Sequence, residues 1–146
     1  MRRFGALFYD ALIVIAIEML AAGVIVALLH ALMALGVFNH SGYADVSDFL
    51  TNHPIWSSAY TFYLVVVWVY FFVFFWTRAG QTLGMRAWKL RVQNKDGSAI
   101  TVTQALIRLG TSGFGLANLC VPFDPQKRGF HDIWAKTEVD VLPQAR

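Results

Sequence analysis

Three stretches of this chain are dominated by apolar side chains, with polar segments between them. The first runs from about Phe4 to about Leu35. At 1.5 Å per residue, roughly 32 helical residues reach about 48 Å, against a hydrocarbon core of about 30 Å. A helix of that length must tilt, bend or protrude, and His30 and Gly36 are places where it would leave the lipid. The second stretch, IWSSAYTFYLVVVWVYFFVFFW at 55–76, has 22 residues and no charge, which predicts a spanning helix. Its β-branched and aromatic residues would also suit a strand, but its length and lack of turn residues favour a helix. Trp56, Tyr60 and Trp76 lie near its ends, where aromatic belts belong. The third stretch, about Val102 to Phe123, is weaker. Arg108, Thr111, Ser112, Gly110, Gly113, Gly115 and Asn118 interrupt it, and Pro122 ends it.

The connecting segments differ in charge. Residues 39–54, NHSGYADVSDFLTNHP, contain no Lys or Arg, and Ser47 or Asp48 is expected to cap a short helix there. Residues 77–101 hold Arg78, Arg86, Lys89, Arg91 and Lys95. Within them LRVQ and SAITV flank NKDG, which predicts a β-hairpin with its turn at Asn94 to Gly97. The tail, 124–146, is polar and carries Lys127, Arg128, Lys136 and Arg146.

The N-terminus carries two basic residues, the first loop none and the second loop five. Basic residues favour the cytoplasmic side, so the N-terminus and residues 77–101 are expected inside and residues 39–54 outside. A third span would place the basic tail outside. A third segment that re-enters or lies at the interface keeps it inside, and its glycines permit a tight reversal. The expected fold is an all-α membrane protein, a single domain over 1–146. It has two transmembrane helices, a third apolar segment that re-enters or spans, and a small cytoplasmic β-hairpin.

Composition agrees: 57% of residues are hydrophobic and 14% charged, against about 45–50% and about 25% in soluble domains. A net charge of +3 with no basic, aromatic-laced stripe argues against nucleic acid. The lone Cys120 lies in an apolar stretch and reads as a buried small hydrophobe. No Cys/His spacing resembles a zinc site, and no phosphate cradle, GxSxG or HExxH occurs, so neither a cofactor nor an enzyme activity is expected. Arg2 and Arg3 before an apolar run resemble a signal peptide, but Asp10 and Glu18 interrupt that run and it continues to Phe38. The segment is therefore expected to be a retained helix.

Those two carboxylates carry the chemical interest. An ionisable group at the bilayer centre costs about 2.5–3.5 kcal/mol on insertion scales, so it normally faces protein or a water cavity. Arg3 and Asp10 are two helical turns apart and share a face, with Cα atoms about 10 Å apart along the axis. Asp10 lies shallow, about 9 Å in from Phe4, and Glu18 is about 12 Å deeper, near the middle of the bilayer. Asp10 reads equally as part of a structural Arg–Asp network and as a cation or proton site. For Glu18 the functional reading leads, because its depth makes a decorative role costly. Arg108 is the expected partner of either carboxylate, although it reads more readily as a structural or snorkelling residue. His131-Asp132 fits a metal dyad or an oriented base, but a structural hydrogen-bonding pair is the commoner case. Gly80 and Gly84 match GxxxG outside an apolar segment, so helix dimerisation is a poor reading.

Three blocks in order, RRFGALFYDALI, GQTLGMRAWKLRVQNKDG and KRGFHDIWAKTEV, resemble the RDD family of bacterial membrane proteins. The resemblance covers nearly the whole chain. Arg3 and Asp10 match the family's arginine and first aspartate, and Asp132 matches the second. One departure is Lys136, where the family often has glycine; Glu18 is outside the naming motif. The resemblance implies a multi-pass protein of the bacterial cytoplasmic membrane, with small-solute or cation/proton transport as the usual suggestion. It also implies a cytoplasmic cluster of Arg3, Asp10 and Asp132 joined by Arg108. Two spans are too few to enclose a pathway, so transport would require a homo-oligomer in the lipid bilayer. The alternative is a non-transporting scaffold or accessory subunit whose basic face binds a partner or anionic lipid.

Overall fold

In the computed structural model, residues 2–112 and 130–141 are described. Their order is α1 (Arg2–Ala34), α2 (Val46–Asn52), α3 (Trp56–Arg78), α4 (Leu83–Ala87), β1 (Leu90–Asn94), α5 (Val102–Ser112), α6 (Phe130–Trp134) and β2 (Thr137–Val141). Both long helices, α1 and α3, are long and apolar enough to cross a membrane. The chain forms two compact units, one of Met1–Ile13 with Val69–Arg146 and the other of Val14–Trp68.

The expected helices stand, with ends shifted by a residue or two. α1 has no proline and ends on a glycine stop. Gly36 takes φ +71°, its N–H donates to the Met33 carbonyl, and the Val37 N–H donates to the Leu32 carbonyl. These paired bonds satisfy carbonyls left over at the helix end. The polar segment holds the expected short helix, but Asp45 caps it, not Ser47 or Asp48. The Asp45 carboxylate accepts from the Asp48 N–H at 2.8 Å, and Asp48 accepts in turn from the Ala44 N–H at 2.9 Å. Asp45 has the extended backbone a cap requires, whereas Asp48 already lies in the first turn.

In the unit of Val14–Trp68, α2 buries Val46, Phe49 and Leu50 against Ile25, Leu29 and Met33 of α1 and Tyr60 of α3. The Tyr63 hydroxyl donates to the Ala21 carbonyl at 3.4 Å.

The sheet differs from the expected hairpin. β1 does pass into a turn, where the Gly97 N–H donates to the Asn94 carbonyl at 2.9 Å and Gly97 takes φ +81°. The residues after the turn do not pair with β1 as a strand. Its antiparallel partner is β2, from the tail, in the register Val92↔Val139. The cause is a capping box at Thr101 and Gln104. The Thr101 hydroxyl accepts from the Gln104 N–H, and the Gln104 side chain accepts from the Thr101 N–H at 2.9 Å. The chain therefore starts a helix where a returning strand would have to continue.

That helix, α5, covers the described part of the third segment. Its 11 described residues bury Ala105, Arg108 and Leu109 on one face at helical spacing. Residues 113–123 of that segment lie outside the described residues, as do Cys120, Lys127 and Arg128. The helix packs on α6. The Gln104 amide donates to the Asn94 side chain at 2.7 Å and to the Ala135 carbonyl at 3.1 Å, tying α5 to the end of β1 and to the turn before β2.

Candidate functional site

Asp10 is buried, only 4% exposed, on the first part of α1. It faces the start of α4, where helical N–H groups have no partner within the helix. Thr82 caps α4 by accepting from the Met85 N–H at 3.2 Å. The Thr82 hydroxyl donates to one Asp10 oxygen, and the Gly84 N–H donates to the other at 2.8 Å. Asp10 is thus a second cap supplied from another element, and its charge suits a helix N-terminus. The fit depends on Gly84. A Cβ there would collide with the Ala6 carbonyl and come within 2.8 Å of the Asp10 carboxyl carbon. Gly80, at φ +65°, is needed too: a Cβ would stand 2.8 Å from the Val92 carbonyl. The GxxxG spacing therefore reflects two close approaches within this chain.

Asp132 forms the second polar centre. It is fully buried on α6, between α1 and α5. Arg3 donates to one carboxylate oxygen at 2.6 Å and Arg108 donates to the other. Arg108 also donates to the Thr137 hydroxyl at the start of β2. Its guanidinium carbon lies 5.3 Å from the centre of the Trp76 ring, a cation–π distance. His131 Nε2 is 3.3 Å from the Asp132 oxygen that Arg108 holds.

The electrostatics follow from burial and charge. Burial alone would raise the Asp132 carboxyl, but Arg108, His131 and Arg3 outweigh it and hold it at about 2. Burial, reinforced by Arg108, pushes His131 down to about 4 against the pull of Asp132, so its ring is neutral at pH 7. Burial also lowers Arg108, opposed by Asp132. Arg3 and Arg108 meet the buried Asp132 carboxylate from both oxygens, which is how a buried charge is tolerated.

Arg3, Asp10, Trp76, Met85, Arg108 and His131 line one cleft of about 80 Å³, room for a few water molecules. Three buried nitrogens of its lining have no hydrogen-bond partner among the described residues: Arg108 Nε, His131 Nδ1 and Trp76 Nε1.

The structure thus brings Arg3, Arg108, His131 and Asp132 into direct contact, with Asp10 on the same cleft but bonded elsewhere. Arg108 commits its Nη1 to Asp132 and Thr137, and both Asp10 oxygens accept from Thr82 and Gly84, so the expected pairing of Arg108 with Asp10 is not made. Glu18 belongs to the other unit. Its Oε1 is shielded from solvent and has no hydrogen-bond partner among the described residues. Sequence reasoning missed Thr82, Gly84 and Thr137. The signal for the first two was Thr82 directly before a short helical run, a standard cap position. No group of three or more His, Cys, Asp or Glu able to hold a metal occurs among the described residues.

Comparison with known proteins adds one match. The model of the RDD family matches residues 1–136. No curated protein and no solved structure matches the chain.

Proposed function

The chain belongs to the RDD family, and we propose that this membrane protein assembles as a homo-oligomer that passes a monovalent cation or proton, with Glu18 as the exchanging carboxylate. The observation that carries the reading is the shielded, unpartnered Oε1 of Glu18 on a helix able to cross the bilayer. A carboxylate in lipid without a partner is costly, and such groups mark ion and proton pathways. Asp10 and Asp132 are less suited to exchange. Both oxygens of each already accept hydrogen bonds from protein donors. They serve instead to fasten the first turns of α1 to α4 and α6.

The reading sets the N-terminus and residues 77–101 on the cytoplasmic side of a bacterial inner membrane, by their basic residues. Two spanning helices cannot enclose a path, so oligomerisation is part of the proposal. A second reading, a scaffold that binds anionic lipid or a partner, is favoured by one feature. Arg86 and Lys89 are exposed beside the exposed Trp88, a pairing suited to an anionic interface.

Purified protein in liposomes tests the first reading. Imposed gradients of lithium, sodium or potassium should drive proton movement in wild type and not in Glu18→Gln. No flux with any of these cations from folded wild type, or a strict monomer in lipid, would overturn it in favour of the scaffold.

A further inference from the structure

The unit of Val14–Trp68 contains a much larger cavity, about 420 Å³, between the later part of α1, α2 and the start of α3. Its walls include Ile25, Leu29, Leu32, Phe49, Ala59 and Tyr60. No charged side chain takes part. The volume lies within the range of ligand pockets and is roughly three times that of an apolar protein cavity known to hold benzene. Such a cavity does not fill with water, because a buried water needs polar partners.

We propose that this cavity holds one acyl chain of a bilayer phospholipid whose headgroup is not anionic. Three observations select that occupant. The two walls are helices able to cross a membrane, and the lining residue Leu28 and the neighbouring Val24 and Phe62 are exposed, so hydrocarbon reaches the cavity without crossing water. The lining offers dispersion contacts and aromatic faces, which suit a saturated chain. The segment beside the cavity, residues 39–54, has no Lys or Arg but carries Asp45 and Asp48. An anionic headgroup would find no cation there, whereas the ammonium of phosphatidylethanolamine meets carboxylates. The inference needs only that the helices lie in lipid, and it is independent of the transport reading.

The test uses the full chain reconstituted in vesicles of equal parts phosphatidylethanolamine and phosphatidylglycerol, then extracted into mild detergent. Native mass spectrometry counts the lipid that stays bound. Wild type should retain phosphatidylethanolamine in preference to phosphatidylglycerol. Ala59→Trp, which fills the cavity, should lose retained lipid on the order of tenfold. Val66→Trp, at an exposed position of the same helix outside the cavity lining, should retain it. If Ala59→Trp does not fold, Leu32→Phe replaces it. Wild type that releases all lipid, or retains as much as a folded cavity-filled variant, overturns the site. A preference for phosphatidylglycerol overturns the headgroup assignment.

Discussion

Arg3 donates to Asp132 at 2.6 Å, joining residues 129 positions apart in the chain. Arg108 meets the same carboxylate from the other oxygen, so one buried acid holds three helices, α1, α5 and α6. Removing it takes a charged hydrogen-bond acceptor from two guanidinium groups. Asp132→Asn and Asp132→Ala should each cost about 3–5 kcal/mol, the range for breaking a buried ion pair. Folded yield and thermal unfolding in detergent check this. Wild-type values for both variants would mean the cluster is not structural.

His131 gives the protein a pH response. Folded, its ring takes a proton only near 4, whereas its ordinary value is 6.5. Between those values the unfolded chain binds the extra proton, so stability is full above the upper value and falls as pH drops through the window. The loss should approach roughly 3 kcal/mol at the lower end. Asp132 adds nothing in this range: its contribution is full above 3.8 and is lost as pH falls through about 2. Melting temperature followed from neutral pH to about 4.5 should decline in wild type. His131→Asn should flatten that decline, and an unchanged slope would assign it to other groups.

Much of this architecture was legible in the sequence, and the losses have identifiable causes. α1 and α3 followed from long apolar runs, the first broken only by Asp10 and Glu18 and the second uncharged, which have few other fates. β2 was hidden because TEVDV alternates polar residues with only two valines and reads as solvated tail. The hairpin was misassigned because Thr101 and Gln104 form a capping box that overrides strand propensity after the turn. Asp10 stood out as a carboxylate in an apolar run and Arg3 by its two-turn spacing from it, whereas the joining of Asp132 to them came only through the family resemblance. The partners of Asp10 were invisible because Thr82 and Gly84 are uncharged and more than 70 residues away.

Gly84 and Gly23 separate fit from propensity. At Gly84 a methyl group would strike the Ala6 carbonyl and the Asp10 carboxylate, so Gly84→Ala should destabilise by about 1–3 kcal/mol. At Gly23 nothing lies within 4 Å, and Gly23→Ala should be neutral or stabilise by up to about 1 kcal/mol through helix propensity. Thermal unfolding of the two variants side by side decides; equal effects would contradict the close approach at Gly84.

Thr82 offers a finer test of the Asp10 latch. Its hydroxyl donates to Asp10 and accepts from the Met85 N–H. Thr82→Val removes both and should cost about 2–4 kcal/mol, a cap plus a hydrogen bond to a charged group. Thr82→Ser keeps both and should unfold near the wild-type temperature. Equal behaviour of Val and Ser would place the role of Thr82 in packing alone.

Lys136 stands in the left-handed region at φ +55°, a conformation that favours glycine. A side chain there costs roughly 1–2 kcal/mol in backbone sterics, partly offset by the entropy glycine loses on folding. Lys136→Gly should therefore raise stability by about 0.5–1 kcal/mol, read as a higher melting temperature. A lower melting temperature would show that the Lys136 side chain contributes more than its strain removes.

In the proposed function Asp10 and Asp132 hold the fold, and Glu18 exchanges the ion. The most direct measurement is cation-driven proton flux in liposomes with Glu18→Gln and Asp10→Asn compared against wild type, each shown to be folded. The account requires flux in wild type and in Asp10→Asn, and its loss in Glu18→Gln. Flux that survives Glu18→Gln and disappears in folded Asp10→Asn would contradict it.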